Sequence, residues 1–229
     1  MRPRRDLPPR GAAGWWLADR ALRRIGSALA FAQEGEDRLL ERLLEGEPPG
    51  IFVDVGAHDP VRFSNTMSLY LRGWRGLSID PRPGVERRFG RIRRHDRFLA
   101  VGVGTEVGDG EYFEFDEPAL NTFSPEVARQ RLEETSYRLV RRSRMPTRRL
   151  DEILRTHLPP GRFDLLTVDV EGRDLDVLLS NDWESFRPRL VCCEELGDIG
   201  GEGVENHLAR WGYELLGKTM NSRLFRRVD

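Results

Sequence analysis

Residues 51–56 read IFVDVG and residues 163–170 read FDLLTVDV. Both are short apolar runs with β-branched residues, and each leads into an acid and then a glycine within a few positions. A run this short, with no polar residue at every second place, is the pattern of a strand buried on both faces. Working outward, the pattern recurs at GLSID (76–80), at residues 98–103 and at RLVCCEE (189–195). Helical spacing fills the gaps, over about 37–44, 65–72, 84–93, 125–139, 150–157, 173–180 and 203–211, with Ser64 or Asn65 as cap of the second of these. EYFEF (111–115) alternates as an exposed hairpin strand, and YELLGK with SRLFRRV reads as a closing antiparallel pair. Strands alternating with helices predict an α/β fold: a mostly parallel sheet of five inner strands and a final hairpin, seven in all, with helices on both faces.

The chain has 229 residues, of which 38% are hydrophobic. That suffices for one core and excludes wholesale disorder. Its 37 basic residues are cancelled by 38 acidic ones, so nucleic-acid binding by general charge is not expected. The only two cysteines, Cys192 and Cys193, are neighbours in a buried strand. They read as small hydrophobes in a reducing compartment, not as a disulfide or redox pair.

Residues 1–30 read as an arm followed by an amphipathic helix, and residues 31–229 as the folded domain. The pair Arg4–Arg5 is followed by no apolar signal core, because Asp19, Arg20, Arg23 and Arg24 interrupt it, so the cytoplasm is the expected location. Over residues 15–31, Trp15, Leu22, Ile25 and Leu29 fall near one helical face. That face suits docking on the domain or a partner, or peripheral contact with an anionic membrane surface.

In open α/β sheets, ligands bind beyond the carboxyl ends of the strands. Here those ends carry Asp54-Val55-Gly56-Ala57-His58, Asp80, Gly102 and Gly104, Asp169-Val170-Glu171-Gly172, and Glu194-Glu195. Gly56 lets backbone approach a ligand. Asp80, 80 − 56 = 24 residues later, stands where a carboxylate accepts both hydroxyls of a ribose. The turn GAHDP lacks the later glycines of a pyrophosphate cradle, so a dinucleotide fits poorly. S-adenosylmethionine, with a ribose and no phosphate, fits better, and Asp54 is placed to help hold its amino-acid part.

These residues resemble the FkbM-type S-adenosylmethionine-dependent methyltransferases. The matching stretches are FVDVGAHDPVRFSNTMSLYLRGWRGLSIDPRP (52–83), ALNTFSPE (119–126), PTRRLDEIL (146–154), FDLLTVDVEGRDLDVLLSNDWESFRPRLVCCE (163–194) and WGYELLGKTMNSRLFRR (211–227). The resemblance implies a Rossmann-like class I methyltransferase fold, strand order 3-2-1-4-5-7-6 with strand 7 antiparallel. It implies methyl transfer, commonly to a hydroxyl of a sugar in a polysaccharide, glycolipid or glycosylated metabolite. It places Asp54, Gly56, Ala57 and His58 in the cofactor turn and Ser64, Asn65 and Thr66 at the helix over the methionine moiety. Asp80 then holds the ribose, and Asp169 is a further cofactor-binding residue. Where many members carry Asn-x-Gly, this chain has His58-Asp59-Pro60.

A sugar hydroxyl is a weak acid, so its methylation calls for a base or a metal. Asp169, Glu171 and His58 are the candidate catalytic residues. Asp169 and Glu194 close adjacent strands in the implied order and suit a shared hard cation such as Mg²⁺. Glu171 reads equally as the cap of the helix after Gly172, and His58 as a loop histidine bonded to backbone. Asn121 and Thr122 are candidates for acceptor or cofactor contact. The cluster Arg138, Arg141, Arg142, Arg144, Arg148 and Arg149 reads as a clamp for an anionic acceptor or as a solvated face. The leading function is O-methylation of an oligosaccharide or glycosylated small molecule. The alternatives are a non-sugar or protein acceptor, or an inactive cofactor-binding subunit; oligomeric state is not readable.

Overall fold

The computed structural model describes residues 11–25, 27–158, 163–195 and 201–228. Its strands are β1 Ile51–Val55, β2 Arg75–Ile79, β3 Arg97–Leu99, β4 Gly102–Val103, β5 Gly108–Phe115, β6 Leu139–Arg148, β7 Leu165–Val168, β8 Leu190–Glu194, β9 Tyr213–Lys218 and β10 Ser222–Arg227. Its α-helices are α1 Ala13–Arg23, α2 Glu36–Leu43, α3 Met67–Leu71, α4 Glu86–Ile92, α5 Pro125–Glu134, α6 Leu150–His157, α7 Asp174–Leu179 and α8 Gly201–Arg210; a 3₁₀ turn spans Pro118–Leu120.

Seven strands form the main sheet, in the order β3-β2-β1-β7-β8-β10-β9. Counted among themselves in chain order they run 3-2-1-4-5-7-6. The first five are parallel to their neighbours, and the seventh, β10, is antiparallel to both β8 and β9. This is the Rossmann-like arrangement that the alternating runs and the family resemblance imply. The numbering gap arises because β4, β5 and β6 leave the main sheet and build a second one, in the order β4-β6-β5.

Both faces of the main sheet are covered, which is why its inner strands carry no polar alternation. On one face Val53, Leu77, Leu166 and Val191 pack with Leu150, Ile153, Val177, Trp183 and Leu208 from α6, α7, α8 and their connections. On the other, Phe52, Leu165, Leu190 and Cys192 pack with Leu40, Leu44, Leu69 and Trp74. Cys192 and Cys193 are buried free thiols, and burial pushes both up in pKa, as inert core cysteines require.

Three readings need correction. The run over 98–103 is two strands: β3 pairs with β2, and β4 pairs with Thr147 and Arg148 of β6. The helix expected over 125–139 stops at Glu134, and the arginine cluster after it is largely the long strand β6, antiparallel to β5. The helix expected at 65 begins at Met67, with Thr66 as its first flanking residue and no capping side chain.

The amphipathic stretch 15–31 is helical only to Arg23. Buried Asp19 ends it, accepting from Arg23 Nε at 2.6 Å and from the Leu29 N–H at 3.2 Å. Trp16 and Leu29 pack with Ala12, Phe31, Met67 and Tyr70, so α1 docks on the domain through a face rotated from the one the spacing suggested. Leu17 and Ile25 stay largely exposed, and Trp15, half-exposed, sets its ring edge-on to Phe31 with centroids 5.9 Å apart. No described helix is long and apolar enough to cross a membrane.

Candidate active site

The cleft lies beyond the tips of β1, β2 and β7. Gly56 makes it: its φ is +82°, and its N–H and that of Ala57 both donate to the Ile79 carbonyl, at 2.9 and 3.1 Å. A Cβ on Gly56 would stand 1.6 Å from the Asp169 carbonyl oxygen. Only glycine lets the tip of β1 lie against that of β7.

Asp80, just after β2, lines the cleft. Its Oδ2 accepts the His58 N–H at 2.9 Å and its Oδ1 the Arg82 N–H at 2.8 Å. Each oxygen retains an accepting lone pair. Burial raises its pKa, opposed by these N–H groups and the Arg82 charge. His58 lines the same cleft at φ +46°. Burial, then the nearby Arg82 charge, lowers it to about 4, so its imidazole is neutral near pH 7 and a weak proton acceptor.

Three carboxylates meet at the other end. Asp169 follows β7, Glu194 ends β8, and Glu171 sits in the turn between β7 and α7; one oxygen from each lies within 4.8 Å of the others. The turn needs two left-handed residues, Glu171 at φ +59° and Gly172 at +99°. Asp174 holds it by accepting the N–H groups of Val170 and Gly172, at 3.0 and 3.1 Å. Asp174 thus braces the turn before α7, and the helix has no capping side chain, Glu171 included. The Glu171 carboxylate instead pairs with Arg131 of α5, and its carbonyl accepts from Thr122 Oγ1 at 2.7 Å. Burial raises Glu171 to about 7 despite the Arg131 charge. Burial, and next the neighbouring carboxylates, raise Asp169 and Glu194. Glu194 is 8% exposed, and among the described residues its Oε2 meets no donor but the Asp169 carboxyl, with which it can share a proton.

Of the residues read from the sequence, Gly56, His58, Asp80, Asp169 and Glu171 line the cleft, with Asn121 and Thr122. Asp54, Ala57, Ser64, Asn65 and Thr66 do not line it. Asp54 is buried within β1, where its two oxygens accept from Thr167 Oγ1 and Thr66 Oγ1, both at 2.6 Å. Ala57 packs on Val85 and Phe89. Ser64 and Thr66 accept from Arg93 at 3.2 and 2.9 Å. Arg93 is itself wholly buried, paired with Asp96 at 2.7 Å and ringed by Phe52, Tyr70 and Phe89. This network braces the β1 tip from behind.

The sequence reading missed Arg131, Tyr112, Phe63 and Phe123. Tyr112, Phe123 and Phe63 line the cleft, Tyr112 and Phe123 with ring centroids 4.8 Å apart. Phe123 lies within LNTFS and Phe63 within RFSNT, so those motifs were the available signal. Arg131 lies on a polar helix with no such mark.

The family model for the methyltransferase FkbM domain matches residues 54–215. No curated protein matches the chain. Among solved structures it is similar to 1,6-didemethyltoxoflavin-N1-methyltransferase of Burkholderia thailandensis, solved with 1,6-didemethyltoxoflavin and S-adenosylhomocysteine, at 13% identity and a TM-score of 0.41, covering 86% of this chain and 80% of that one. It is also similar to precorrin-6y C5,15-methyltransferase of Geobacter metallireducens GS-15, at 10% identity and a TM-score of 0.44, covering 86% and 92%. The domain match spans well over half the sequence and takes in the cleft residues from Val55 to Arg173, with Gln33 outside it. The chain belongs to the FkbM family of methyltransferases.

Proposed function

We propose that the cleft holds S-adenosylmethionine and that the methyl group passes to a hydroxyl oxygen of a sugar in a glycan, glycolipid or glycosylated metabolite. The observation that carries the donor assignment is Asp80. It is a buried carboxylate at the tip of the strand beside Gly56, oriented by two backbone N–H groups, with a lone pair on each oxygen left for a ribose diol. The Gly56 turn brings backbone close to the donor and offers no cradle for phosphates.

Methyl transfer from a sulfonium is an in-line displacement, so most of the acceleration comes from alignment of donor carbon and acceptor oxygen. In this reading Glu171 is the proton acceptor. Glu171, raised to about 7, is matched to proton removal near neutrality. His58, lowered to about 4, is better suited to accept a hydrogen bond than a proton. Asp169 sits between donor cleft and carboxylate cluster and orients the acceptor hydroxyl.

The cluster also fits a hard divalent cation such as Mg²⁺. Asp169 and Glu194 bring oxygens together with Glu171, and among the described residues the buried Glu194 Oε2 meets no donor but the neighbouring Asp169 carboxyl, which can share a proton with it. Such an ion lowers the pKa of a hydroxyl bound to it. A second surface belongs to this reading: the exposed Leu17 and Ile25 on α1 and just beyond it, beside Arg20 and Arg24, suit peripheral contact with an anionic membrane. That would fit a cytoplasmic enzyme acting on lipid-linked glycans.

The test is a panel of nucleotide sugars and cell-envelope oligosaccharides, read by formation of S-adenosylhomocysteine, with and without chelator. A sugar acceptor whose turnover is abolished in Asp169→Asn and falls on chelation supports the reading. Methylation confined to a protein or non-sugar acceptor rejects the sugar assignment, and full activity in chelator rejects the cation.

A further inference from the structure

The three-stranded sheet, with the loop and helix that follow β5, lines the cleft opposite the main sheet's strand tips, and among the described residues two side-chain contacts fasten that loop and helix to the main domain. The first fastening is buried. Arg131 and Thr122 both grip Glu171, and the Arg131 and Glu171 side chains are 11% and 15% exposed. The second lies at the surface. Arg62, in the loop after β1, forks onto Glu117, at the start of the 3₁₀ turn after β5, through two hydrogen bonds of 2.9 and 3.0 Å. These side chains are 49% and 27% exposed.

Both partners of the outer pair are held in place before they meet. The Arg62 guanidinium lies 4.0 Å from the ring centroid of Phe63, and Phe63 stacks in turn with His58, centroids 6.2 Å apart. His58 and Phe63 both adopt left-handed backbone, at φ +46° and +56°, and Asp59 fixes the turn between them by accepting the N–H groups of Val61 and Arg62, each at 2.9 Å. On the other side Glu117 also accepts the Ala119 N–H at 3.2 Å. The neighbours of the two charges, Phe63 on one bank and Pro118 and Ala119 on the other, line the cleft. The pair thus spans the cleft from one wall to the other.

We propose that Arg62 and Glu117 are positioning residues that latch the roof over the methyl donor, and that the donor and its demethylated product exchange only when this pair parts. The proposal rests on the cleft being the S-adenosylmethionine site. The asymmetry of the two fastenings gives the direction of opening: the buried Arg131–Glu171 side acts as the hinge, and the solvated Arg62–Glu117 side releases first. An isolated surface ion pair contributes little to stability. This one acts on a rate, because both of its members are already oriented and the walls they join are the walls of the site.

The experiment measures release of labelled S-adenosylhomocysteine, chased with excess unlabelled S-adenosylmethionine. It compares wild type, Arg62→Ala, Glu117→Gln (which keeps the acceptor for Ala119) and the charge exchange Arg62→Glu/Glu117→Arg. Each single variant is expected to release product about threefold to fivefold faster, the span a solvated ion pair allows, with an unchanged melting temperature. The charge exchange is expected to return most of the way to the wild-type rate, and high salt to speed release from wild type but not from Arg62→Ala. Wild-type release from both single variants, or a charge exchange no slower than either, overturns the latch. If wild type binds no S-adenosylhomocysteine, the donor assignment itself fails, an outcome distinct from binding with unaltered release.

Discussion

The two sheets of this molecule are built on opposite rules. The inner strands of the main sheet are buried on both faces, and every residue of β7 and β8 is buried. The second sheet turns one face to solvent: along β6, Arg141, Arg142, Arg144 and Arg148 are exposed, and between them Ser143, Met145 and Thr147 are only half-buried. The first holds the cleft's floor by backbone placement, where a single methyl group is too much. The second covers the cleft with side chains and tolerates change. The difference teaches where this fold keeps its tolerance: the floor is fixed by packing, and the roof is attached by a few charges.

Glycine substitutions break the comparison most sharply. Gly56→Ala, at φ +82° and with its Cβ 1.6 Å from the Asp169 carbonyl oxygen, should lose roughly 4 kcal/mol or more in urea unfolding, together with donor binding. Gly110→Ala in β5 meets the edge of the Phe123 ring at 3.0 Å and the Thr147 methyl at 3.2 Å, side chains and not backbone, and should cost about 1 kcal/mol. Equal losses at the two positions would erase the distinction between floor and roof.

Acid offers the next largest effect. The folded pKa of His58 is about 4, below its ordinary 6.5, so the unfolded chain takes up the proton first. The stability His58 contributes is full above about 6.5 and is lost as pH falls toward about 4, by at most roughly 3 kcal/mol. Urea titrations across that range should show a steeper acid loss for wild type than for His58→Asn; parallel curves would place His58 in water. The smallest effect belongs to the roof's outer face, where Arg144→Ala should change stability by no more than about 0.5 kcal/mol.

The same contrast explains what the sequence disclosed. IFVDVG and FDLLTVDV were legible because burial on both faces removes polar alternation, and with them came the parallel sheet and the places of Gly56, Asp80, Asp169 and Glu171; the strand order came from the family resemblance alone. β6 was hidden. LVRRSRMPTR has no apolar face, only half-buried Ser, Met and Thr opposite arginines, so its period of two is not a hydrophobic one. The single run at 98–103 concealed a change of sheet, because leaving one sheet for another between Leu99 and Gly102 costs no hydrophobic residue. Asp54 carries a role its motif does not display: an acid in a D-x-G turn looks like a ligand-binding group, and here it also accepts from Thr66 and Thr167 inside the core. Arg131 was unreadable, since its partner lies 40 residues away on another element.

Donor binding in this cleft hangs on the Asp80 carboxylate just after β2. Calorimetry of S-adenosylmethionine binding to wild type and to Asp80→Ala addresses it directly. The account predicts saturable one-site binding to wild type and an affinity weakened about 10- to 100-fold in the variant, the loss of charge-assisted hydrogen bonds to the ribose. Equal affinity in the two proteins would contradict it.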